Sequence, residues 1–118
     1  MRKEFMDYLD QEKERCLATR QELIQDDRRD EADLCKIEAN IYEVFSSLYQ
    51  TSCKQVADGD EKAITTKFVN LANKIPLNWK ESYEKAKLHN DSKKMIIEEI
   101  KLHAVDKIMS EYSRQVEE

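Results

Sequence analysis

The sequence predicts an all-α fold, an antiparallel bundle of four to five helices led by a long N-terminal helical hairpin. Three observations carry that expectation. Glycine and proline occur once each among 118 residues, whereas β-rich folds need many turns built on those two residues. Hydrophobic residues at 40% against charged residues at 38% suit helices with one buried stripe and one wet face. Between Asp30 and Tyr49, Leu34, Ile37, Ile41, Val44, Phe45 and Leu48 follow the three-to-four-residue rhythm of one helical face, which no strand period reproduces.

A chain of this length supports one core, so residues 1–118 are read as a single helical domain. Within it, 1–57 form the long hairpin and 60–118 a C-terminal helical unit. Lys3 to Asp26 carries Leu9, Cys16 and Leu23 every seven residues, a thin stripe interrupted by Lys13 and Arg20. A helix this polar belongs on the outside of a bundle. The chain is expected to turn near Arg28 and Arg29, with Asp30 capping the second helix. That turn sets Leu23 opposite Leu34, Leu17 and Cys16 near Ile41, and Leu9 near Leu48; one continuous helix is the competing arrangement.

The second helix runs toward Val56 and ends at Asp58-Gly59-Asp60, where the only glycine suits a left-handed cap and Asp60 can cap the next helix. A third, shorter helix carries Ile64, Phe68, Leu71, Ala72 and Ile75 and is expected to close at Pro76. Pro76 then opens a fourth helix bearing Trp79, Tyr83 and Ala86. Asn90-Asp91-Ser92 reads as a turn with Asp91 or Ser92 as cap, although a merged helix through Asn90 stays open. The last helix carries Met95, Ile96, Ile100, Ala104, Ile108, Met109, Tyr112 and Val116. Leu34, Ile37, Ile41 and Phe45 are echoed at a constant offset by Ile97, Ile100, Ala104 and Ile108. Amphipathic helices imitate one another, so this pattern alone does not establish a repeat.

The net charge of −5 disfavours binding along a polyanion, whose affinity comes from neutralised phosphates. Lys80, Lys85, Lys87, Lys93 and Lys94 make one locally basic stretch around Trp79 and Tyr83, but Glu81, Glu84 and Asp91 lie among them, so a solvated lysine face is expected. Three cysteines, Cys16, Cys35 and Cys53, make neither a disulfide framework nor a Cys-x-x-Cys pair. Cys16 and Cys53 are expected to be buried, and Cys35 partly exposed. Glu99, His103 and Asp106 share a helix face without the paired Glu-x-x-His motifs of carboxylate-bridged metal bundles. Asp58-Gly59-Asp60-Glu61 lacks the ligand spacing of a calcium loop. No catalytic, cofactor or metal residue is therefore nominated.

The expected function is a non-enzymatic, cytoplasmic protein–protein interaction or adaptor module acting through amphipathic helix faces. Met1 to Asp10 does not read as a signal peptide, and no window reaches membrane-span length. Candidate partner-binding residues are Tyr42 and Tyr49, placed beside the second helix's stripe as a rim, and Trp79 and Tyr83, with Trp79 expected to pack in the core. The partner is an unidentified protein, and the long hairpin ends suggest a homodimer. The alternative is a nucleic-acid-associated regulator using Lys80 to Lys94.

Overall fold

The computed structural model describes residues 2–56 and 59–117. Four helices make up the bundle: α1 (Arg2–Gln25), α2 (Arg29–Gln55), α3 (Glu61–Leu88) and α4 (Ser92–Glu117). They form two antiparallel hairpins, α1–α2 and α3–α4, packed together in a body of 48 × 34 × 22 Å. Among the described residues no helix is long and apolar enough to cross a membrane.

Both hairpin turns are built alike. After α1, Asp27 takes a left-handed conformation (φ 60°), the amide of Arg28 donates to the carbonyl of Leu23 at 2.8 Å, and that of Asp27 to Ile24 at 3.0 Å. After α3, Asn90 is left-handed (φ 54°), Asp91 donates to Ala86 at 2.8 Å and Asn90 to Lys87 at 3.3 Å. Each is the paired hydrogen-bond pattern that satisfies the last carbonyls of a helix around one left-handed residue. Asp and Asn tolerate that conformation better than other non-glycine residues. The last two helices are therefore separate, with Asn90 as their pivot.

Asp60 and Asp91 cap as expected. The Asp60 carboxylate accepts from the amides of Lys62 at 3.0 Å and Ala63 at 3.5 Å, and Asp91 accepts from Lys94 at 3.1 Å. Gly59 is left-handed (φ 65°), as the Asp58-Gly59-Asp60 punctuation suggested, although Asp58 lies outside the described residues. Asp30 does not cap: the N-cap is Arg28, with no side-chain hydrogen bond to the backbone. Asp30 instead sits in the first turn, where its charge suits the helix dipole.

Two further expectations are corrected. The chain turns around Asp27, just before the arginine pair, so the hairpin register slides from the one anticipated. Met6 reaches Ser46 (3.8 Å) and Arg15 reaches Glu38 (2.9 Å). Pro76 neither ends nor starts a helix; α3 runs through it without interruption. Proline lacks the amide that would bond the Ala72 carbonyl, a loss worth about 3 kcal/mol in a helix interior. Tertiary burial outweighs that loss, because Ile64, Phe68, Ala72, Pro76 and Ala86 form one buried stripe that a break would split.

The core rests on four rings. Phe5, Tyr49, Phe68 and Tyr112, one from each helix, are essentially fully buried, and all six pairs among them have centroids 4.8 to 5.8 Å apart. Most meet edge to face, the arrangement that ring quadrupoles favour. A shift of 63 residues carries Asp27 onto Asn90, Phe5 onto Phe68 and Tyr49 onto Tyr112. Ring distances obey the same exchange: Phe5–Tyr49 at 5.0 Å matches Phe68–Tyr112 at 4.8 Å, and Phe5–Tyr112 at 4.9 Å matches Phe68–Tyr49 at 5.2 Å. The two hairpins thus face each other across an approximate two-fold axis. The weak echo between the second and last helices in the sequence belongs to this same shift.

Candidate interaction surface

The buried face of α2 is rotated from the one its aliphatic residues suggested. Ala32, Ala39, Ile41, Tyr42, Phe45, Tyr49 and Ser52 point inward, while Val44 is exposed. The helix is covered by α1 on one side and by the second hairpin on another, and the large tyrosine rings take the centre of that broad arc. Tyr42 and Tyr49 are therefore core residues, not the rim of a groove, and in the folded chain they offer no surface to a partner.

The Tyr42 hydroxyl ends in a polar seam, whereas that of Tyr49 is buried without a hydrogen-bond partner. Tyr42 donates to Glu38 at 3.2 Å, and Glu38 also accepts from Arg15 at 2.9 Å. Burial first, then the Glu38 charge, pushes the Tyr42 hydroxyl pKa well above its ordinary value. Glu12 lies alongside, joining Arg15 at 3.1 Å and Lys107 of α4 at 3.0 Å. Burial raises the Glu12 pKa, but hydrogen bonds from Lys107 and Arg15 more than reverse that, leaving it below the usual carboxylate range. Burial and then Glu38 also push the Cys16 thiol up to about 12, so it is a poor nucleophile at neutral pH. The three cysteines are free, Cys16 buried and Cys35 and Cys53 half-buried. Cys53 is therefore less buried than expected.

Trp79 and Tyr83 lie on α3 and are half-buried. Trp79 packs against the core cluster, with the Lys101 ammonium 5.5 Å from its ring centroid. Lys101 also pairs with the buried Glu98 at 3.2 Å. A hydrogen bond with Glu99, ahead of burial, raises the Tyr83 hydroxyl pKa. Glu99 is thus engaged with Tyr83, and among the described residues no group of three His, Cys, Asp or Glu side chains is placed to hold a metal. A cleft of about 170 Å³ lined by Met6, Tyr49, Gln50, Cys53 and Lys54 is smaller than the roughly 300–1,000 Å³ of ordinary ligand sites.

The outer side of the second hairpin is different in character. Leu77 is 57% exposed, Leu88 79% and Ile96 45%. Leu77 and Leu88 stand three turns apart on the same side of α3, away from the core. The first hairpin serves as an internal control, because the shift of 63 residues places Glu14, Gln25 and Asp33 at the equivalent positions, all exposed. The fold therefore does not require apolar residues there. The charge is inverted as well. From 80 to 94 five lysines face Glu81, Glu84 and Asp91, whereas from 17 to 31 Arg20, Arg28 and Arg29 face Glu22, Asp26, Asp27, Asp30 and Glu31. Sequence reasoning found the lysines and Trp79 but passed over Leu77 and Leu88, and it counted Ile96 in the apolar stripe of the last helix, from which the structure turns it outward. Only the alignment of the two hairpins singles them out. The chain matches no known protein family, no curated protein and no solved structure.

Proposed function

We propose that this chain is a non-enzymatic, cytoplasmic protein–protein interaction module whose contact surface is the outer side of the α3–α4 hairpin. The observation that carries this reading is the exposure of Leu77, Leu88 and Ile96 where the equivalent positions of the first hairpin are Glu14, Gln25 and Asp33. Exposed leucines cost solubility without stabilising the bundle, so their presence on only one of two like hairpins supports a role in contact. Trp79 and Tyr83 are half-buried on the other side of the same helix, Trp79 against the core, and are not part of this contact. The homodimer expected from the hairpin ends is weaker as a proposal, because the buried faces of the two hairpins already cover each other.

The test replaces the three residues by their first-hairpin counterparts, Leu77→Glu, Leu88→Gln and Ile96→Asp, leaving the core untouched. Crosslinking in cells followed by mass spectrometry should recover a discrete protein with the native chain and lose it with the triple variant. An unchanged set of crosslinked proteins would refute the reading.

A further inference from the structure

We propose that Cys53 is a site of reversible thiolation, taking one half of a low-mass aliphatic disulfide into the cleft between α1 and α2 that Met6, Tyr49, Gln50, Cys53 and Lys54 line. The relation between the two hairpins again supplies the control. The shift of 63 residues puts Val69 and Val116 where this cleft has Met6 and Cys53, and Glu117 where it has Lys54. Valine satisfies the packing at those positions, so neither the sulfurs nor the cation are demanded by the fold. The tyrosines differ too. The Tyr112 hydroxyl lies 2.8 Å from that of Thr65, whereas the Tyr49 hydroxyl, on a residue only 1% exposed, has no hydrogen-bond partner. A buried hydroxyl of this kind calls for an acceptor, and the cleft Tyr49 lines is where one can enter.

Chemistry singles out this thiol among the three. Cys16 is fully buried, its thiol pushed up to about 12. Burial, then Glu38, holds the Cys35 thiol above its ordinary value. Cys53 is half-buried, opens on the cleft and stands four residues from Tyr49, one turn along the same face of α2. It also lies in the last turn, where the helix dipole opposes a thiolate, so exchange there relies on the groups beside it. Burial, then the Cys53 charge, keeps the Tyr49 hydroxyl protonated, a neutral donor for the thiolate. Lys54, the cation of the last turn, adds its charge at the rim. In the step itself the Cys53 thiolate attacks one sulfur of the disulfide and the S–S bond breaks. A mixed disulfide forms on Sγ, and the other half leaves as a thiolate and takes up a proton. Cys53 is oxidised and the departing sulfur reduced. The cleft of about 170 Å³ admits a chain of a few atoms, not a drug-sized ligand.

The experiment treats the full chain, reduced beforehand, with excess 2-hydroxyethyl disulfide at pH 8 and follows each cysteine by peptide mass mapping over time. Cys53 should be modified at least tenfold faster than Cys35, Cys16 should stay unmodified in the folded chain, and dithiothreitol should reverse the adduct. Tyr49→Phe keeps the ring and removes only the hydroxyl. It should slow Cys53 at least threefold, move the midpoint of its pH–rate profile upward and leave Cys35 unchanged. Lys54→Gln, on the exposed rim, should slow Cys53 as well, and it carries the same comparison if Tyr49→Phe fails to fold. Cys53→Val, which installs the residue found at the equivalent position of the second hairpin, should abolish the fast adduct and leave circular dichroism unchanged. A Cys53 rate less than tenfold above that of Cys35 overturns the inference. So does a Cys53 rate that neither Tyr49→Phe nor Lys54→Gln alters, which would leave an accessible thiol and no site, or modification that proceeds only as fast as global unfolding.

Discussion

Phe5→Ala and Phe68→Ala should destabilise the protein by nearly the same amount, although one residue lies at the start of the chain and the other in its middle. Each ring is fully buried, and each meets both tyrosines of the cluster at 4.8 to 5.2 Å. Removing such a ring costs about 3–5 kcal/mol in buried area and residual cavity. A domain of 118 residues has a total stability on the order of 6–18 kcal/mol. Its unfolding entropy makes 1 kcal/mol worth roughly 4 °C in Tm, so each variant should melt about 12–20 °C lower. Urea unfolding followed by circular dichroism gives both free energies. The two should agree within about 1 kcal/mol, and the milder pair Phe5→Leu and Phe68→Leu should couple by about 0.5–1.5 kcal/mol across their 5.6 Å contact. A Phe5 variant costing under about 1 kcal/mol, beside a Phe68 variant at full cost, would refute the reasoning. It would mean that the first turn of α1 comes away without unfolding the core, and that the two-fold arrangement does not govern the energetics.

Four other outcomes follow from the same packing. Pro76→Ala should raise stability by about 1–2 kcal/mol, the part of the helix-interior penalty left after losing buried ring contacts; a Tm below the native value would show that α3 packs only along a proline-shaped course. Asp27→Gly and Asn90→Gly should each stabilise by about 0.5–1 kcal/mol, since both replace a left-handed non-glycine residue, and thermal melts that fall instead would remove the shared turn geometry. Because the folded Glu12 carboxyl titrates below its unfolded value, its contribution is present at neutral pH and disappears as pH falls through the acid range. Glu12→Gln should therefore cost up to about 1 kcal/mol at pH 7 and little at pH 3, the bridge being partly exposed, and a pH-independent difference would discount the bridge. Finally, a permuted chain running 59–117, then a copy of residues 55–64, then 2–56 should keep native circular dichroism and unfold cooperatively within about 1 kcal/mol of the parent. Residues 117 and 2 correspond to 54 and 65 under the shift of 63, so the new connection has the length of its two-fold equivalent, and loss of the helical signal would sink the equivalence.

Much of the bundle was legible in local pattern. Asp60 and Asp91 declared their helix starts because a short acid reaches its own backbone amides in almost any context. The hairpin near the arginines followed from two stripes needing each other, but its centre at Asp27 did not. Aspartate in a left-handed cap leaves no stronger mark than aspartate anywhere else. Pro76 misled because its local penalty is real and was overridden by burial on both sides of it. Tyr42 and Tyr49 looked like a rim because an aliphatic stripe alone locates one neighbour, whereas α2 has two.

Composition and periodicity determined, unaided, that this protein is helical and antiparallel and opens with a long hairpin. Those properties arise from contacts a few residues apart and from the lack of turn-forming residues. Only the tertiary structure decided which side of each helix is buried, that α3 survives its proline, and that the two hairpins are copies of one plan closed on four rings. Those outcomes depend on groups brought together from all four helices. The same packing decided which leucines were left outside, because a residue 63 positions away becomes its counterpart only once the two hairpins lie against each other.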